Sequence, residues 1–240
     1  MTRRPQKKRT TQALLSIQEI AAIRAVLEGP EETALFEWIY TNGCRASEPG
    51  LAKLSDLDLR NNLVRLVHLK HGLAPEGVPI APPCRKALDR WLKVRPAYPD
   101  IRAEYVFPRR EIIECYTCKG SGEVIREFKT KQQGKIKKTV KCPLCAGLGR
   151  SPGLTRHDVR HQIAALFARA GIHPDFRFPH VLRHSAVTHM LDAKILPTKI
   201  QRRVGHKALE TTFGYMHATQ ESQEEIARAF PMPDEEEDKP

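Results

Sequence analysis

Four of the six cysteines are spaced as metal ligands. Cys115-Tyr-Thr-Cys118 and Cys142-Pro-Leu-Cys145 form two CxxC pairs separated by 23 residues. Two thiolates from each of two tight turns can close a tetrahedron around one zinc ion, the coordination of a structural site. Both pairs continue into the same pattern, Cys118-Lys-Gly120-Ser-Gly122 and Cys145-Ala-Gly147-Leu-Gly149, whose glycines let the backbone turn closely around sulfur. Disulfides and a redox-active CxxC are the competing readings. The first suits an oxidising compartment, for which the sequence carries no signal. Duplication of the whole unit favours a structural metal over the second. Cys44 and Cys84 are read as ordinary buried or half-buried thiols.

Each unit resembles the CxxCxGxG repeat of DnaJ-type chaperone zinc fingers, a likeness confined to residues 115–150. Between the pairs, Val124 to Phe128 and Ile136 to Val140 read as two strands turning at Gln132-Gln133-Gly134. Residues 115–150 hold nine Lys or Arg against two Glu, a large part of the chain's formal charge of +12. A zinc-stapled hairpin carrying Lys129, Lys131, Lys135, Lys137, Lys138 and Lys141 is suited to gripping a phosphate backbone. A solvated module that touches nothing stands beside it as an equal reading, because lysine-rich hairpins also serve solubility alone.

Three separated segments make a second constellation: Gly43-Cys44-Arg45-Ala46-Ser47-Glu48, then His180-Val181-Leu182-Arg183-His184, then Gly205-His206 with Tyr215 nine residues further on. Singly, each residue is ordinary, since a lone Arg or His on a helix usually caps or solvates a face and a lone Tyr usually packs. Together, in this order and spacing, and with Phe178-Pro-His-Val-Leu-Arg-His-Ser-Ala-Val-Thr-His around the second segment, they resemble the tyrosine recombinase (phage integrase) family. The resemblance runs from about Ser16 to Phe230 and is interrupted by the cysteine insertion.

That resemblance implies a site-specific recombinase that cleaves and rejoins DNA, by integration, excision or inversion. Tyr215 would attack phosphorus to give a 3′-phosphotyrosyl link and a free 5′-hydroxyl. A phosphodiester repels nucleophiles and gathers charge on its non-bridging oxygens in the transition state, so fixed donors must surround it. Arg45 and Arg183 would supply them as planar, always charged forks, with His206 donating a further hydrogen bond. A phenol with an ordinary pKa near 10 needs a base, for which His180 is the candidate. Lys70, at the end of a predicted strand, would protonate the departing 5′-oxygen. The covalent link conserves the bond energy, so neither ATP nor a catalytic metal is implied and zinc would serve structure alone. Glu48 is read as supporting the loop of Arg45, and Ser47 as capping the short helix opened by Pro49.

The resemblance also implies double-stranded DNA as partner and a homotetramer on paired sites, the helix from Gln220 to Phe230 packing on a neighbouring protomer. Family members carry an N-terminal helical domain that closes around DNA, whereas a short basic tail precedes Ser16 here. The missing grip would fall to the zinc hairpin, to that tail, or to an accessory protein. A topoisomerase-like or resolvase-like enzyme uses the same tyrosine chemistry and remains open. So does a zinc-containing DNA-binding regulator on the same scaffold. A chaperone-type zinc module would leave most of the chain without a role.

The elements that must position these groups are also legible. Ser16-Ile17-Gln18-Glu19 is a capping box that starts a helix with Ile20, Ile23 and Leu27 on one face, ended by Gly29-Pro30. A second helix spans about Glu31 to Tyr40 and stops at Asn42-Gly43. Leu63 to Leu69 reads as a strand, with Gly77 to Ile80 returning beside it, and Pro82-Pro83 opens a helix to about Val94. Leu154 to Ala170, Val181 to Leu191 and Pro197 to Val204 have helical spacing. The expected fold is α+β: a mostly helical tyrosine-recombinase catalytic domain with a small antiparallel sheet and an inserted zinc-ribbon hairpin. The expected divisions are a basic tail (1–15), a catalytic domain (16–230) with the ribbon inserted at 112–152, and an acidic, disordered tail (231–240).

Charge and hydropathy restrict the compartment and the partner. The first nine residues carry +5 and residues 234–240 carry −4, which leaves +11 on the body. A basic folded body favours a polyanion, although a basic protein without such a role is the bland alternative. No apolar run approaches the roughly 18 to 20 residues of a membrane helix. The basic start runs into Thr10-Thr11-Gln12 without a signal-peptide core, so a cytoplasmic, nucleoid-associated location and no membrane partner are expected.

Overall fold

Ser16 starts the first helix as its sequence requires. Its hydroxyl accepts from the Glu19 amide at 3.1 Å and Glu19 Oε2 accepts from the Ser16 amide at 2.8 Å, which satisfies two donors that a helix start leaves open. A computed structural model of the chain describes residues 14–68, 72–73, 77–130, 134–142, 145 and 147–205. Helix α1 (Ile17–Ala25) buries Ile20 and Ile23. It ends before the predicted stop, and Gly29-Pro30 instead open α2 (Gly29–Asn42), because a first-turn proline lacks only an amide hydrogen that the helix does not use. Gly43 then ends α2 with φ of 58°, a left-handed conformation that costs glycine little.

Helix α2 is the spine of the core: Ala34, Leu35, Phe36, Trp38 and Ile39 are all buried. Its buried Glu37 is tolerated because Arg24 grips it with two hydrogen bonds of 2.7 and 3.0 Å. Against α2 lies α3 (Pro82–Val94), which starts at the double proline and buries Cys84, Ala87, Leu88 and Trp91, one face at i, i+3, i+4 and i+7. Burying a side chain the size of Leu88 contributes about 1.5–3 kcal/mol.

Between α2 and α3 the chain makes short antiparallel strands. β1 (Leu57–Asp58), β2 (Leu63–Val64) and β5 (Val78–Pro79) form one sheet in the order β1-β2-β5, and β3 (Val67–His68) pairs with β4 (Gly72–Leu73). The predicted strand from Leu63 to Leu69 is thus divided between two partners. Burial still alternates through Val64, Leu66 and His68, so the change is one of pairing, not of face. The expected return of Gly77 to Ile80 is found, with Val64 opposite Val78.

β6 (Pro108–Glu114) and β9 (Arg150–Gly153) pair antiparallel and lead into and out of the insertion, whose β7 (Glu123–Thr130) and β8 (Gly134–Lys141) form an uninterrupted two-stranded ribbon. Helix α4 (Arg156–Arg169) begins two residues later than predicted, because Thr155 and Asp158 form the capping box and Leu154 is held by the Phe107 carbonyl. Helix α5 (Pro179–Asp192) is buried around most of its circumference and α6 (Pro197–Val204) packs on its end through Val187, Ile200 and Val204. The predicted helix at Gln220 to Phe230 lies outside the described residues.

Candidate active site and cysteine cluster

Arg45 and Arg183, 138 positions apart, are brought to one turn by the left-handed Gly43. Arg183 is 2% exposed, and its Nη1 donates to the Gly43 carbonyl at 2.5 Å. Arg45 is held by Glu48, whose Oε2 accepts from the Arg45 amide at 2.8 Å and whose Oε1 accepts from Nη1 at 2.9 Å. Its Nη2 also reaches the Gly205 carbonyl at 3.3 Å. The expected support by Glu48 is therefore present, and it displaces Ser47: Glu48 occupies the cap position of the turn Pro49–Leu51, and no side chain caps it. With its carboxylate turned back to the Arg45 amide, Glu48 orients the arginine.

His180 stands in the first turn of α5, three residues before Arg183, at the mouth of a cleft that it shares with Arg45 and Ser47. One edge of the ring is open to the cleft. Crowding by protein on its other sides, and then the charges of Arg183, Arg45 and Arg156, hold its imidazole below the usual histidine range. At neutral pH the ring is therefore unprotonated, the state that a proton acceptor needs. His184 packs its ring edge-on against His180 with centroids 4.4 Å apart, and burial lowers its pKa to about 4.

The same cleft is lined by Arg156 and Arg160, on successive turns of α4. Both are exposed, and among the described residues neither has an ion-pair partner. A groove lined by Arg109, Arg156, Arg160 and Tyr116 continues from there to the first cysteine turn, where Arg109 is already paired with Asp158. Cationic side chains converging on one cleft raise the local concentration of anions.

The four cysteines of the insertion meet. Cys115 and Cys142 have Sγ atoms 3.8 Å apart and Cys118 and Cys145 3.7 Å apart, and all four lie within 4.8 Å of one another and are buried. A sulfur tetrahedron around an ion at about 2.3 Å has edges of about 3.8 Å, so the set fits a tetrahedral metal and no pair is joined as a disulfide. The repeated glycines make this possible. Gly122 and Gly149 have φ of 76° and 70°, and a Cβ on either would come within 2.3 Å of a carbonyl in the opposite turn.

The Phage integrase family model matches residues 14–222. The chain belongs to this family. It is 27% identical over 210 residues to the tyrosine recombinase XerC of Bifidobacterium longum (strain DJO10A), covering 87% of this chain and 49% of that protein. To the tyrosine recombinase XerD of Bifidobacterium longum (strain NCC 2705) it is 26% identical over 191 residues, covering 80% and 51%. The chain thus spans about half the length of these curated relatives. Its fold superimposes on a crystal structure of XerA recombinase with a TM-score of 0.62 at 22% identity, covering 92% of this chain and 65% of that one. Against the Tn1549 transposon integrase in complex with circular intermediate DNA the TM-score is 0.66 at 17% identity, covering 93% and 69%. At these identities the superpositions speak for the fold. Among the described residues, no helix is long and apolar enough to cross a membrane.

Within this integrase-family fold, Arg45 and His180 line one cleft, and Arg183, three residues after His180 on α5, is held at the turn that carries Arg45. Lys70, His206, Tyr215 and Lys131 lie outside the described residues, as does the side chain of Lys129. The ribbon lysines divide between two faces. Lys135, Lys137 and Lys141 share one face with Glu123 and Glu127, and Lys135 Nζ is 2.9 Å from Glu127 Oε1; Lys138 lies on the other, opposite Arg126. Sequence reasoning missed Arg156, Arg160 and His68. The two arginines had only the weak signal of two cations at i and i+4 near the start of a helix. His68 had none beyond an unusual polar residue in an apolar strand.

Proposed function

We propose that this chain is a site-specific DNA recombinase that cleaves and rejoins double-stranded DNA through a 3′-phosphotyrosyl intermediate on Tyr215. The observation that carries the reading is that Arg45 and His180 line one cleft with Arg156 and Arg160, while the buried Arg183 is held to the Gly43 carbonyl of the turn that carries Arg45. In this reading the two buried-end guanidiniums hold the non-bridging oxygens of the scissile phosphate, with His206 adding a donor. His180 accepts the phenolic proton as the tyrosine oxygen attacks, and Lys70 gives a proton to the 5′-oxygen that leaves. Rejoining runs these transfers in reverse.

The catalytic domain is assigned to residues 16–230 and the ribbon to 112–152. Cys115, Cys118, Cys142 and Cys145 would hold a structural Zn²⁺, which supplies rigidity to the ribbon and takes no part in strand cleavage. The ribbon lysines Lys129, Lys131, Lys135, Lys137, Lys138 and Lys141 would add contacts to the phosphate backbone. Assembly on DNA as a tetramer, with an accessory protein where further grip is needed, and action on chromosomal DNA in the cytoplasm complete the proposal.

The test is a nicked suicide substrate on which strand cleavage traps the covalent protein–DNA adduct. Wild-type protein should form it and Tyr215→Phe should not. The same adduct from both proteins, or none from wild type on its own target DNA, would overturn the reading. A two-site assay then separates partner exchange from mere relaxation or resolution.

A further inference from the structure

His68 ends β3 directly beneath the arginine turn. It is 5% exposed, and among the described residues neither ring nitrogen has a hydrogen-bond partner of good geometry. A buried ring held by no more than a poorly aligned contact to the Arg202 backbone is costly, so a ring kept in this place invites a reason. Its neighbours are the groups that orient Arg45. Nδ1 lies 4.0 Å from Glu48 Oε1, the oxygen that Arg45 Nη1 occupies at 2.9 Å. On its other side the ring lies against Gly205, where a Cβ would fall 2.5 Å from Cγ, 2.6 Å from Nδ1 and 2.9 Å from Cδ2. The Gly205 carbonyl accepts from Arg45 Nη2 at 3.3 Å. His68 thus touches both anchors of the arginine.

We propose that His68 is a positioning residue for Arg45: as a neutral imidazole it props the Gly205 turn and leaves Glu48 Oε1 to the arginine, whereas as an imidazolium it takes that oxygen and releases the arginine. The proposal rests on reading the cleft as the phosphate site, and it adds a residue which that reading does not use. Charged and polar groups face the ring from every side: Glu48 and Arg45 from the turn after α2, Arg183 from α5 and the Arg202 backbone from α6. Burial opposes the charged ring most strongly, Glu48 favours it, and the two arginines oppose it again. The ring is therefore neutral at neutral pH, and the exchange of Glu48 between partners belongs to the acid side of the ordinary histidine value near 6.5.

Three variants and a titration test this. In single-turnover adduct formation on nicked DNA from pH 5.5 to 8, His68→Leu keeps the volume of the ring but not its nitrogens. It should cleave within about twofold of wild type at pH 7.5 and lose less activity on acidification. Any fall due to His180 is common to both proteins and cancels in the comparison. His68→Ala removes the prop and should lower the rate about ten- to a hundredfold, the scale of a misplaced catalytic group. A wild-type acid-side fall in His68→Leu, or a wild-type rate in His68→Ala, overturns the proposal. Should His68→Ala fail to fold, the profile of His68→Leu decides. NMR titration of histidine-labelled protein gives a readout that needs no cleavage: His68 should titrate below the ordinary value, and lower still in Glu48→Gln. A ring already protonated at pH 7, or one indifferent to Glu48→Gln, also overturns it. Absence of any adduct with wild type would remove the recombinase reading, and the titration would still decide the role of His68.

Discussion

The backbones of Gly50 and Gly153 are in direct contact: a Cβ built on Gly153 would lie 2.0 Å from the Gly50 carbonyl oxygen, and one on Gly50 would lie 1.7 Å from that of Leu154. Gly50 sits in the turn that follows Glu48, and Gly153 ends β9, the strand that leaves the cysteine cluster. A small cavity beside this contact is lined by Ser47, Leu51 and Cys145, so a thiolate position and the arginine loop share one wall. The strand that leaves the insertion is therefore braced against the loop that carries Arg45.

The contact is unusual in offering no side chain that could swing aside. Gly153→Ala and Gly50→Ala must move backbone against backbone, which should destabilise the fold by about 1–3 kcal/mol and displace the Glu48–Arg45 pair. Urea midpoints and the rate of adduct formation measure the two effects. Variants with the wild-type midpoint and rate would mean that the two segments move independently.

Metal removal probes the same connection from the other side. Wild-type protein should contain about one zinc per chain, as four thiolates require. Chelation, or Cys115→Ser with Cys142→Ser, should lower the melting temperature and raise amide exchange along β6 and β9. Far less than one zinc per chain, together with an unchanged melting temperature in the double variant, would leave the cluster as four unligated thiols.

What the sequence made legible was local or strongly patterned. The capping box at Ser16, the buried face of α3 at Cys84, Ala87, Leu88 and Trp91, and the four-cysteine set depend on residues close in the chain or on one repeated unit. Arg45 and Arg183 were visible through their flanking motifs. The rest depends on partners far away in sequence. Leu63 to His68 alternates correctly as a strand, but nothing local says that Val64 pairs with Val78 while His68 pairs with Gly72. The site of His68 is made by Glu48 and Gly205, and neither spacing nor residue type announces that enclosure. Gly29-Pro30 carries the signal of a stop and of a start alike, and the packing of α2 decides between them.

The charge distribution leads to an unequal effect of its cations on DNA binding. Arg156 and Arg160 line the cleft without ion-pair partners among the described residues, so replacing either by Ala should weaken binding to all sequences alike. Each should also lower the salt slope by about one. On the ribbon, Lys135 is paired with Glu127, and Lys137 and Lys141 lie opposite Glu127 and Glu123, whereas Arg126 and Lys138 share a face with no acid opposite them. Neutralising Arg126 and Lys138 together should therefore flatten the slope more than neutralising Lys137 and Lys141 together. Slopes unchanged by both pairs would return the ribbon to a solvated module.

Acid should destabilise the fold before its carboxylates titrate. Burial, the largest cause in each case, holds His68, His180, His184 and His189 below the ordinary histidine range, His184 at about 4. The folded protein keeps these rings neutral where the unfolded chain, with histidines near 6.5, takes up protons. Stability is thus fully present above about pH 6.5 and declines as pH falls from there towards about 4. His180 is open to the cleft and contributes least, because solvent shares in its ionisation. Urea unfolding at pH 7.5 and at pH 5 brackets the window while most carboxylates stay charged. The midpoint should be lower at pH 5, and His184→Gln should narrow the difference. Equal midpoints at the two pH values, or a higher one at pH 5, would show that these rings are solvated or already charged in the native state.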